Sequence, residues 1–158
     1  MFINKNRQNV NMLDEKDELI VEELRKDSRM STVDIARKTG LPRVTVHERI
    51  RKLKEKGVIK RFTVVLDNSK VGRPTTAFVL VSYDPHQEVT QRKLAEKLAK
   101  LDGVYEVHIL AGEWDLLLKV RADSVEGVGK LVVDKLREIG GIGKTVTLTC
   151  FSSVKEEL

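Results

Sequence analysis

A single cysteine, Cys150, stands among 158 residues, so the chain can build no disulfide framework of its own. Such sparse thiol usage fits a reducing compartment, and a cytoplasmic location is expected. Long apolar runs are missing as well. None approaches the roughly 20 residues that cross a bilayer as a helix, which excludes helical membrane insertion. The opening MFINKNRQNVN has no apolar core of the kind a secretory signal carries, so export is not expected. Aromatic residues make up only 4%, and their scarcity beside abundant Lys and Glu suits a heat-adapted source.

The chemistry of catalysis is also thin. His47, His86 and His108 are far apart, and with one cysteine they form no zinc-like spacing, so no metal or other cofactor is expected. Neither G-x-S-x-G, a Walker sequence nor G-x-G-x-x-G occurs. Gly140-Gly141-Ile142-Gly143 is glycine-rich, but it follows a helical pattern and precedes a strand pattern, the reverse of a phosphate loop. Nothing here reads as an enzyme.

What is present is positive charge, unevenly placed. Residues 1–75 carry 18 Lys+Arg against 11 Asp+Glu, whereas residues 76–158 carry 11 against 13. A basic half joined to a slightly acidic one suggests two modules with different partners. Residues 43–61 alone hold eight basic and two acidic groups. A patch that concentrated points to nucleic acid.

The pattern of apolar residues divides the chain further. Residues 1–11 are polar and aperiodic, a frayed tail. A first helix is expected from Asp14 to Lys26, with Leu13, Ile20 and Leu24 on one face. Ser31 is a good cap for a second helix carrying Val33, Ile35 and Ala36, and Gly40 is a natural stop. Pro42 suits the first turn of a third helix that ends at Gly57. Residues 12–61 therefore read as a helix-turn-helix domain. Residues 58–67 are β-branched and extended, and turn residues dominate 67–75, so 62–75 is an extended segment and linker.

From residue 76 the rhythm alternates. Strands are expected at 77–83, 104–111, 116–121 and 144–152, with helices over 87–101 and from Ser124 to Ile139. The order β-α-β-β-α-β over 76–158 is the ferredoxin-like arrangement, so the fold class is α+β. Two helices can cover only one face of that sheet. Phe78 and Leu80 on the first strand, and one face of the last, remain apolar and want a second sheet. The simplest source is another copy of the chain.

Two candidate sites emerge. In PRVTVHERIRKLKEKG, residues 42–57, steps of 100° put Val46, Ile50 and Leu53 on one stripe. The opposite side presents Val44, Glu48, Arg51 and Lys52. This is either a solvated face with snorkelling lysines or a surface that enters a major groove. In the second case Arg43, Thr45, His47 and Glu48 meet base edges, with Val44 beside them. Arg51, Lys52, Lys54, Lys38, Lys60 and Arg61 then pair with phosphates, and Ser31 and Thr32 lie at the second helix's start. The other candidate is the turn Gly112-Glu113-Trp114-Asp115, where the only tryptophan sits between two carboxylates. It is either a hairpin whose tryptophan covers an edge, or part of a small-molecule pocket or oligomer contact.

Taken together, these segments resemble the Lrp/AsnC (leucine-responsive, feast/famine) transcription regulators. The resemblance covers about residues 12–157. It is carried by Leu13-Asp14, Ile35-Ala36, VHERIRKL at 46–53, GVI at 57–59, the G-x-x-D turn at 112–115, the late threonines and the closing VKE at 154–156. It implies a double-stranded-DNA-binding domain joined to one that dimerises through its sheet and assembles further into tetramers or octamers. It also implies an amino acid or related metabolite as effector, held near Gly112, Glu113, Trp114 and Asp115 with Thr145, Thr147 and Thr149 close by. The expected function is thus a sequence-specific regulator tuned by a small molecule. The alternative is an architectural, DNA-compacting protein with no effector.

Overall fold

A computed structural model describes residues 13–156 of the chain. The tail expected at 1–11 lies outside them. Two compact units are found, meeting between Val64 and Val65, inside the 62–75 segment.

The first unit is built of three helices: α1 (Glu15–Lys26), α2 (Thr32–Thr39) and α3 (Arg43–Glu55). Each start has a local cause. Asp14 caps α1 through a reciprocal box, its carboxylate accepting from the Asp17 amide at 2.9 Å while Asp17 accepts from the Asp14 amide. Ser31 accepts from the Asp34 amide at 3.1 Å and donates to the Asp34 carboxylate at 2.6 Å. Gly40 closes α2 in the left-handed region, φ 71°. Pro42 is the N-cap of α3, one position outside the helix rather than in its first turn. With φ fixed near the helical value and no N–H to satisfy, it enters α3 without a hydroxyl or carboxylate cap.

Ile20, Leu24, Ile35 and Val46 form the buried centre, with Met30, Leu41, Ile50 and Ile59 packed around it. Of the apolar residues that α2 carries, Val33 is 52% exposed. Across this core Arg49 joins α3 to the start of α1, reaching Asp14 at 2.7 Å and Asp17 at 2.7 Å. Residues 58–66 form no strand among the described residues. They are held by the Ile59 amide on Leu53 O, 3.1 Å, and by the Ser28 hydroxyl on Thr63 O, 3.2 Å.

The second unit has the expected order: β1 (Thr75–Tyr83), α4 (Gln91–Leu98), β2 (Val104–Ile109), β3 (Leu116–Ala122), α5 (Val125–Lys130) and β4 (Ile142–Thr149). The sheet is antiparallel throughout, ordered β2-β3-β1-β4. Several boundaries differ from the sequence expectation: β1 starts two residues early, β2 ends two residues short, and β3 runs one residue further. Helix α4 is shorter than 87–101 because Thr90 caps it, accepting from the Lys93 amide. Helix α5 leaves α geometry and continues as π-helical turns over Leu131–Leu136. Strand β4 begins two residues earlier than 144, at Ile142, and ends at Thr149. Within the strand, glycine suits position 143 because a Cβ there would lie 2.7 Å from Ser82 Oγ, the same hydroxyl that accepts from the Lys144 amide at 2.6 Å.

Ala77, Val79 and Val81 of β1 and Leu116, Leu118 and Val120 of β3 point to the helices and are buried with Leu94, Leu98 and Leu136. The opposite face is uncovered. Alternation and register place Phe78, Leu80, Leu117, Val146 and Leu148 on it.

Candidate functional site

Helix α3 presents a sharply two-sided surface. Val46 and Leu53 are buried, Ile50 is half-buried, and Arg43, Val44, His47, Glu48, Arg51, Lys52 and Lys54 are exposed. Val44 is 70% exposed and leaves an isopropyl contact at the helix start. No side chain caps that start, so its first N–H groups add to the positive end of the helix dipole. Ser31, Lys38, Lys60 and Arg61 are also exposed, whereas Thr32 and Thr45 are half-buried.

Some of these cations already have partners. Lys38 reaches Glu23 at 3.0 Å, and Glu23, shared with Lys26, is held below the usual carboxylate range first by Lys26 and then by Lys38. Lys54 lies over the Phe62 ring at 5.8 Å, and Arg51 is 3.9 Å from Glu55. Arg49 is a different case. Turned toward α1, it donates to Asp17 and Asp14, which raise its already high pKa. The sequence pattern marks Asp14 as a helix start but does not disclose this clamp. Its trace in the sequence is only a pair of carboxylates three residues apart, Asp14 and Asp17.

The second candidate region lies at the β2–β3 hairpin. There Asp115 is committed to the backbone: its carboxylate accepts from the Tyr83 amide at 2.7 Å, its amide donates to Val81 O, and its carbonyl accepts from Leu110 N. Gln91 Nε2 donates to the Asp115 carbonyl at 3.3 Å, which ties α4 to the turn. Gly112 and Glu113 are exposed, and Trp114 is half-buried. Thr145 pairs with Val81 and so sits at this end of the sheet, whereas Thr149 pairs with Ala77 at the other. Four residues of strand separate them, about 13 Å. The turn and Thr145 are brought together, and Thr149 is not. A cavity of about 500 Å³ opens at that far end instead, between Arg73, Asp102, Lys130 and Lys135.

A family model for a winged helix-turn-helix DNA-binding domain matches residues 13–60, and one for the Lrp/AsnC ligand-binding domain matches 76–158. The chain belongs to the Lrp/AsnC family. It is a transcription regulator with a DNA-binding helix-turn-helix and a ligand-binding domain, and the Lrp/AsnC proteins it matches are regulators rather than enzymes. An HTH-type transcriptional regulator of Pyrococcus abyssi is 53% identical over 147 residues, covering 93% of this chain and 98% of the relative. The regulator FL11 of Pyrococcus horikoshii is 35% identical over 144 residues, 91% of this chain and 93% of its own. Among solved Lrp/AsnC structures, LrpC of Bacillus subtilis superposes with a TM-score of 0.80 at 30% identity, covering 92% of this chain and 99% of LrpC. A transcriptional regulator of Neisseria meningitidis, solved as its L-Met complex, shares the fold with a TM-score of 0.85 at 22% identity, covering 92% of this chain and 94% of its own. No helix among the described residues is long and apolar enough to cross a membrane.

Proposed function

We propose that this regulator is a homodimer, assembling further into tetramers or octamers, that reads its operator through α3 and is tuned by an amino acid or related metabolite. The observation that carries the reading is the exposed face of α3: an apolar Val44 set among Arg43, His47, Glu48 and Arg51, with the helix's inner stripe fully engaged. Arg43 pairs with guanine, Glu48 accepts from a cytosine amino group, and Val44 and Thr45 touch thymine methyls. Arg51, Lys52, Lys54, Lys60 and Arg61 position the helix on phosphates, as does Lys38 once it leaves Glu23. A dimer sets two such helices into successive major grooves, so the operator is a near-palindrome.

The effector seat in this reading is the β2–β3 turn, with Gly112, Glu113 and Trp114 as its wall and Thr145 beside them. Asp115 shapes the turn rather than holding the ligand. Support comes from the ligand-binding domain the family model describes and from the L-Met complex of the Neisseria protein. Thermal melts of the protein with each amino acid, followed by DNA titration with every hit, test it. A hit that changes operator affinity supports gating. Absence of any hit favours the DNA-compacting alternative, which needs only the basic shell.

A further inference from the structure

The uncovered face of the second unit's sheet is apolar along β1 and β4 but charged on β2 and β3. Lys119 and Arg121 project from β3 on this face, paired in register with Phe78 and Thr76. Their side chains are only 12% and 9% exposed, unusual for cations on a face that no helix covers. Two acids explain their state. Glu106 reaches Lys119 at 3.2 Å, and Glu156 contacts Lys119 Nζ and also accepts from Arg121 Nη2 at 2.5 Å. The Arg121 guanidinium also stacks over the Tyr105 ring, 4.9 Å from its centre.

Glu156 comes from the end of the described chain. After β4 the backbone makes one more bond, the Cys150 amide to Thr76 O, and then crosses β1 to bring Glu156 onto β3. Along this crossing Phe151 and Val154 are fully exposed, 103% and 99%. One segment thus supplies both a charge that neutralises the sheet face and apolar side chains that cover nothing in their own chain. Two acids against two bases leave the cluster with no net charge. A face that a second copy is to cover must meet that condition, because an unpaired charge resists desolvation. The single buried side-chain nitrogen without a partner among the described residues, Arg121 Nε, belongs to the same cluster.

We propose that the closing Val154-Lys155-Glu156 segment prepares this sheet face for burial against a second copy of the chain. Glu156 neutralises Lys119 and Arg121 so that the face can be buried, and Phe151 and Val154 seat on the second copy. Charges within an otherwise apolar interface are tolerated only when paired, and here the pairing is completed within one chain before a second copy arrives. This inference rests on the dimer reading above and extends it to a segment with no other assigned role.

Sedimentation equilibrium of the full chain and four variants tests it. Glu156→Gln leaves a charge excess on the face and should weaken the dimer by about tenfold or more. Adding Lys119→Met to it restores neutrality and should bring affinity back to within about threefold of the parent. Phe151→Ser should weaken the dimer without changing the monomer's circular dichroism. If Glu156→Gln dissociates like the parent, or the double variant is no tighter than Glu156→Gln alone, the neutralising role is wrong although the dimer stands. A parent dimer that Leu80→Ser leaves untouched overturns the sheet-to-sheet reading itself.

Discussion

Arg43 and Lys52 lie on the same helix, both exposed, yet they are expected to behave differently on DNA. Arg43 sits at the entry of α3, where a guanidinium can pair with a guanine edge. Its replacement by alanine should cost about 1–3 kcal/mol on the cognate site and relax preference at one position. Lys52 sits two turns on, and its loss should weaken all sequences alike and lower the salt slope by about one. Fluorescence anisotropy on matched and scrambled duplexes separates the two; identical behaviour would refute the division of labour. Asp14 makes a different kind of contribution. Its carboxyl is held below the usual range, first by Arg49 and then by the Asp17 amide. A depressed native pKa stabilises the fold above the unfolded value and loses that stabilisation as pH falls through the folded one. Melting should therefore be level near neutrality and decline below the ordinary carboxylate range, and Asp14→Asn should blunt that decline. An unchanged acid profile in the variant would contradict the clamp. The exposed face of α3 was legible in the sequence because polarity and helical period suffice to place it. Asp115 was not fully legible. Its spacing marks a turn, but only the folded β1 shows that its carboxylate is already spent on the Tyr83 amide.

Elements follow from local chemistry wherever a cap or a glycine acts within a few residues. Ser31, Gly40 and Thr90 each mark a helix end that the backbone obeys. A Cβ added at Gly40 would meet no atom within 4 Å, so the glycine's role is conformational rather than steric. Gly40→Ala should cost about 1–2 kcal/mol through the left-handed φ alone, read as a lowered melting temperature. A loss much larger than that would mean a packing role the surroundings do not show. Leu118→Ala, by contrast, empties a fully buried site between sheet and helices and should cost about 2–5 kcal/mol in denaturant unfolding. Less legible were features set by partners distant in sequence. The early start of β4 comes from Ile142 pairing with Tyr83 of β1, and the π-helical turns after α5 have no cue in the apolar periodicity of 125–139.

At the scale of the whole molecule, the charge asymmetry between the two halves matches two units with separate cores. The uncovered sheet face was also foreseeable, since alternation in Phe78, Leu80, Val146 and Leu148 requires it. The Glu156 cluster on that face was not, because four charges from two strands and a terminal segment meet only in the fold. Everything functional then depends on whether α3 reads sequence or merely grips phosphate. The most direct measurement is selection of bound fragments from sheared genomic DNA against random DNA at about 0.15 M salt. The proposed reading predicts enrichment of a small set of near-palindromic sites, lost in Arg43→Ala while total binding persists. Equal recovery of genomic and random fragments, with Arg43→Ala indistinguishable from the parent, would contradict it.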